Sequence, residues 1–113
     1  MKIDKSLLSG TTPLLILSLL RDGDKYGYQM ITDLALRSEH IFELREGTLY
    51  PILHALEKDG ALRSYEKQTP AGKTRRYYTL TGAGEKRLSE RETQWRQFTG
   101  AVERVLRAEP SQA

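Results

Sequence analysis

Residues 46–81 read EGTLYPILHALEKDGALRSYEKQTPAGKTRRYYTLT, and the period of the apolar residues changes partway along. Leu49, Ile52, Leu53 and Leu56 recur at i, i+3, i+4 and i+7, which is one face of a helix. Pro51 falls near the start, where backbone N–H groups have no partner inside the helix, so a missing one costs little. Gly60 supplies the stop. Beyond it the period drops to two. ALRSYEKQ (61–68) and KTRRYYTLT (73–81) alternate and are rich in Tyr and Thr, as strands are. TPAGK (69–73) lies between them, with Pro70 and Gly72 suited to a tight turn. The expectation is a half-buried helix followed by a β-hairpin with a basic tip.

Upstream, DKSLLSGTTPLLILSLLRDG (4–23) carries a nearly all-round apolar helix ended by Gly23. Pro13 either opens that helix with Thr12 as cap or kinks a longer one starting near Asp4. YGYQMITDLALRS (26–38) is a second helix, with Gly27, Ile31, Leu34 and Ala35 on one face. A glycine on that face admits a close neighbour. Downstream, TGAGEKRLSERETQWRQFTGAVERVLRAE (81–109) returns to helix, capped by Thr81 or Gly82, with Pro110 just past its end. At roughly 25 residues it spans about 40 Å.

Three helices, a hairpin and a long helix give a mainly α fold with a β-hairpin: a winged helix-turn-helix plus a long C-terminal dimerisation helix. The expected division is 1–81 for the winged domain, 82–109 for the dimerisation helix and 110–113 for a tail. At 113 residues a single compact unit is expected, and one this small often leans on a partner subunit for part of its burial. The longest apolar run, PLLILSLL (13–20), is far short of the ~20 residues of a membrane span. The N-terminus shows no signal-peptide pattern, and a cytoplasmic location is expected. Without cysteine there is no disulfide, thiolate chemistry or Cys-type zinc site. His40 and His54 have no companions at metal-ligand spacing, and no catalytic constellation is recognisable, so neither a metal, a cofactor nor an enzyme is expected.

The net charge of +3 is mild, but its distribution is not even. Arg63, Lys67, Lys73, Arg75 and Arg76 face only Glu66 across residues 63–76, a local +4. Such a patch points to a polyanion. In a winged helix-turn-helix the third helix enters the DNA major groove. Its outer stripe here is Gly47, Tyr50, Pro51, His54 and Lys58, with Arg45 and Thr48 at the leading end, where the helix dipole favours phosphate. Hydroxyl, imidazole and apolar groups can meet base edges or thymine methyls. Arg75 and Arg76 fall on alternate faces of the strand, so one can contact phosphate while the other braces it; Lys67 and Lys73 flank the turn.

In the last helix Leu88, Trp95 and Val102 recur every seven residues, with Phe98 and Val105 between and Leu106 adjacent. This is a short seam for another helix, most simply its own copy, although Arg91 interrupts it. A two-fold dimer presents two reading helices to a pseudo-palindromic operator in double-stranded DNA. Two other readings fit the pattern: a winged-helix module that binds protein, and a DNA binder with no effector.

YGYQMI (26–31), EGTLYPILHALEKDGAL (46–62), RRYYTLTGAGEKRL (75–88) and Trp95 together resemble the PadR family of transcriptional regulators, over roughly residues 6–107. The single C-terminal helix is similar to the smaller PadR subgroup. The resemblance implies a homodimeric winged-helix repressor, with Thr48, Tyr50 and Pro51 on the DNA-facing helix and Lys73, Arg75 and Arg76 in the wing. It also implies a response to planar aromatic, often cationic, small molecules held between two tryptophans at the dimer centre. Trp95 matches that position, with Leu8 and Leu15 standing back from it and Glu92 as an acidic neighbour; the other reading of Trp95 is ordinary dimer-core packing.

Overall fold

The computed structural model describes residues 3–8 and 10–107; the expected tail, and Pro110 with it, lies outside them. Five helices and three strands follow in the order α1 (Lys5–Leu8), α2 (Thr12–Arg21), β1 (Lys25–Tyr26), α3 (Gly27–Arg37), α4 (Glu46–Lys58), β2 (Leu62–Gln68), β3 (Thr74–Leu80) and α5 (Gly82–Arg107). The fold is the winged helix-turn-helix expected.

The opening segment divides between Leu8 and Thr12, just ahead of Pro13. Asp4 caps a single turn, its carboxylate accepting from the Ser6 amide at 3.0 Å. Helix α2 then starts afresh with Pro13 in its first turn and Thr11, not Thr12, at the boundary. Neither hydroxyl caps α2. Both Thr11 and Thr12 donate backwards to the Leu8 carbonyl, at 2.9 and 3.3 Å, and so close the end of α1.

The hairpin is a three-stranded antiparallel sheet in the order β1-β3-β2. Lys25 and Tyr26 pair with Tyr78 and Tyr77, adding a strand beyond the expected hairpin. Two residues are too few for alternation to show. The wing turn is as expected: Thr69 and Lys73 close it, and Gly72 takes a positive φ of 87°.

The core lies where α2, α3 and α4 meet the inner face of the sheet. Ile16, Leu17, Met30, Leu49, Leu53 and Tyr78 are its most enclosed side chains. Leu88 of α5 joins this same cluster at 1% exposure. It was expected to open the intersubunit seam; the core of its own chain takes it instead, because Gly84 lets the first turns of α5 settle onto Ala61. The exposed part of the seam begins at Trp95.

Candidate nucleic-acid interface

Helix α4 turns Leu49, Leu53 and Leu56 inward. At 100° per residue the opposite face carries Thr48, Pro51 and His54, all exposed, with Arg45 exposed and extended at the N-terminal boundary. The Arg45 side chain makes no bond to the helix end. Tyr50 differs from the rest of the stripe. It is half-buried and packs on the core, and a Cβ added to Gly27 would lie 2.9 Å from its Cζ. Gly27, the small residue of the α3 face, thus receives the ring of Tyr50. Tyr50 and His54 remain neighbours, with ring centroids 6.4 Å apart.

The register of the wing pairs Lys67 with Arg75 and Glu66 with Arg76. Alternation places Arg75 and Arg76 on opposite faces, and each has a partner there. On one face Tyr65 stacks on Tyr77 at 5.8 Å, and Tyr26 meets Tyr77 edge-on at 5.3 Å. The Lys67 ammonium lies 5.3 Å from the Tyr77 ring and the Arg75 guanidinium 6.0 Å from that of Tyr26. Tyr65 donates to the Asp24 carboxylate at 2.5 Å. These are exposed cations held over aromatic faces. On the other face, turned to α4, Arg76 donates to the Ser64 hydroxyl at 2.9 Å, and that hydroxyl donates to Glu57 at 2.6 Å. Nothing in the spacing of Glu57, Ser64 and Arg76 revealed this chain, because it depends on where a strand crosses a helix. Below it, burial pushes the Tyr78 phenol up from its ordinary pKa, with the Glu57 carboxylate adding to the shift. Lys73, at the turn, makes no side-chain hydrogen bond or ion pair to the described residues and is exposed.

The distal half of α5 presents Trp95, Phe98, Val102, Val105 and Leu106, between 38% and 76% exposed. Trp95 and Phe98 are neighbours at 6.4 Å. An open groove beside Trp95 is lined by Arg96, Thr99, Gly100, Glu103, Arg104 and Arg107. Leu8 and Leu15 are half-buried and do not line it. Glu92 is engaged elsewhere: Arg21 of α2 grips its carboxylate and Arg96 stands 3.7 Å away. Among the described residues no three His, Asp or Glu side chains gather to hold a metal, and no helix is long and apolar enough to cross a membrane.

Known proteins share this architecture. The model of the Transcriptional regulator PadR-like family matches residues 16–90. A transcriptional regulator of Mycobacterium tuberculosis is 40% identical over 75 residues, 66% of this chain and 66% of that protein. An uncharacterized protein of Lysinibacillus sphaericus is 30% identical over 93 residues, 82% of this chain and 85% of its own. Among solved structures, a PadR family regulator from Eggerthella lenta superposes with a TM-score of 0.78 at 35% identity, covering 92% of this chain and 88% of its own. A PadR-like regulator from Bacillus cereus gives 0.81 at 27% identity, covering 92% and 99%. The matched residues run from within α2 through α3, α4 and the wing to the start of α5, so the chain belongs to the PadR-like family of transcriptional regulators and is not an enzyme.

Proposed function

We propose that the chain acts as a homodimeric DNA-binding repressor whose grip is released by a small molecule. One observation carries the reading: a single chain pairs an outward recognition helix and basic wing with an unpaired apolar stripe on α5. In this reading residues 1–81 are the reading part and the helix from 82 onward is the dimerisation part. Thr48, Pro51 and His54, with the exposed edge of Tyr50, meet base edges. Arg45, Lys67, Lys73 and Arg75 meet phosphates, and Arg76 lies beside them. DNA as partner makes the cytoplasm the site of action. Trp95, Phe98, Val102, Val105 and Leu106 meet their copies across a two-fold axis. A planar aromatic effector inserts beside Trp95 and alters the angle between the two long helices. Recognition helices held at one separation then lose register with their half-sites. Glu92 is neutralised by Arg21, which argues against its selecting for cations.

The test is a gel shift with duplex from the region upstream of the protein's own gene, titrated with salt. Affinity is expected to fall steeply as salt rises, and Lys73→Ala to flatten the slope by about one unit. A protein-binding module gives no such slope. Quenching of Trp95 fluorescence by planar aromatic compounds, with loss of the shift, tests release; a flat response across a broad panel leaves a binder without an effector.

A further inference from the structure

We infer that Ser64 is a positioning residue that fixes the wing to the recognition helix by linking Arg76 to Glu57. The inference rests on the DNA-binding reading and adds a residue to it. Ser64 is the third residue of β2, and it pairs in register with the fully buried Tyr78, so its backbone is fixed. Its hydroxyl gives its one proton to Glu57 at 2.6 Å and offers a lone pair to Arg76 at 2.9 Å. Both bonds are charge-assisted, and each polarises the other. The guanidinium belongs to β3, the hydroxyl to β2 and the carboxylate to α4, so the chain of bonds ties both strands of the wing to the reading helix.

Two consequences follow. The first is geometric: the wing and α4 must meet one duplex together, and a hinge between them would spread the wing's cations over many positions. The second is electrostatic. Glu57 is the acidic group of α4 that faces the sheet, and it balances Arg76 through Ser64. Arg76 is therefore a brace, while Arg75, on the opposite face, and Lys73, at the turn, remain for phosphate. Of the two arginines that alternation left equivalent, the structure assigns the bracing role to Arg76.

Ser64→Ala is expected to lower affinity for the upstream duplex roughly three- to tenfold, the scale of an ordinary hydrogen bond, because the two lost bonds act on binding only through the position of the wing. The salt slope stays unchanged, because no phosphate contact is removed. Ser64→Thr, which keeps the hydroxyl, restores wild-type affinity. Arg76→Ala lowers affinity to a similar degree, again at constant slope, and adds little on top of Ser64→Ala, as members of one network do. Hydrogen exchange across residues 62–80 reads the brace without DNA: protection falls in Ser64→Ala and returns in Ser64→Thr. Wild-type affinity and protection in Ser64→Ala would overturn the inference, as would an Arg76→Ala slope flatter by about one unit. If the wild-type protein shifts no duplex while exchange still responds to Ser64→Ala, the brace stands and the DNA-binding reading fails.

Discussion

Gly27 and Gly84 sit where two contacts leave no room for a side chain, but what they meet differs. A Cβ on Gly84 would overlap the Ala61 carbonyl, coming within 3.0 Å of its carbon and 2.7 Å of Leu80 Cδ1. Backbone cannot swing aside, so Gly84→Ala is expected to destabilise the fold by about 1–3 kcal/mol. A Cβ on Gly27 meets the far end of the Tyr50 ring, which can rotate away. Gly27→Ala should therefore cost less stability than Gly84→Ala but push the Tyr50 ring away from α3 and weaken duplex binding. Urea midpoints and gel shifts on both variants separate the two effects. A third residue tests the core itself. Tyr78 is fully buried, and its hydroxyl pairs with no group among the described residues. An unpaired buried hydroxyl costs more than it returns, so Tyr78→Phe is expected to raise stability by about 1 kcal/mol in urea denaturation. A loss instead means that the hydroxyl is satisfied.

Helix α5 joins the domain through its first three turns. The Thr81 hydroxyl donates to the Gly60 carbonyl at 2.6 Å and accepts from the Gly84 amide at 3.0 Å, so the cap of α5 is also tied to the end of α4. Arg87 lies 3.6 Å from Asp59, and Arg21 of α2 grips Glu92. Hydrogen bonding from Arg21 holds the Glu92 carboxyl below its ordinary pKa. The folded state thus gives up that proton more readily than the unfolded chain. The pair contributes above the ordinary glutamate range and is lost as pH falls through it. The groups are partly exposed, so the effect is small. Melting temperature is expected to fall less on acidification in Arg21→Gln than in the wild type; equal slopes would mean that the contact does not hold α5. The Thr81 cap, the stripe of α4, the wing turn and the length of α5 were all legible in the sequence, because each is a local pattern. The connection from α3 to α4 was not. Glu39 and His40 adopt positive φ of 51° and 66°, where a sequence normally shows glycine or asparagine. Ser38 organises that turn instead, donating to the Leu34 carbonyl and accepting from the Phe42 amide. Strand β1 was invisible for its length, and the Glu57–Ser64–Arg76 chain for its dependence on tertiary crossing.

The chain is more extended than a compact monomer of its length. Its Cα radius of gyration is 16.7 Å, with extents of 64 × 32 × 21 Å; a compact chain of this length would have about 13 Å. It exposes 8221 Å², where a compact monomer of its mass exposes about 6300 Å². Beyond Glu92, α5 carries its apolar stripe into solvent. Phe98 is the sharpest place to test whether a second copy covers that stripe. It is 63% exposed, so Phe98→Glu removes little from the fold of one chain, within about 0.5 kcal/mol. In a two-helix seam the same change places two carboxylates near one another on an apolar surface, which costs several kcal/mol. The variant is therefore expected to keep the wild-type helix content yet sediment as a single chain, and to melt lower than the wild type because the second copy no longer stabilises the folded state. Its affinity for the upstream duplex should fall as well, because two reading helices half-sites apart, about 34 Å, bind together only when something holds them there. If Phe98→Glu still sediments as a dimer, the copies meet elsewhere and the spacing of the two readers is set by another surface.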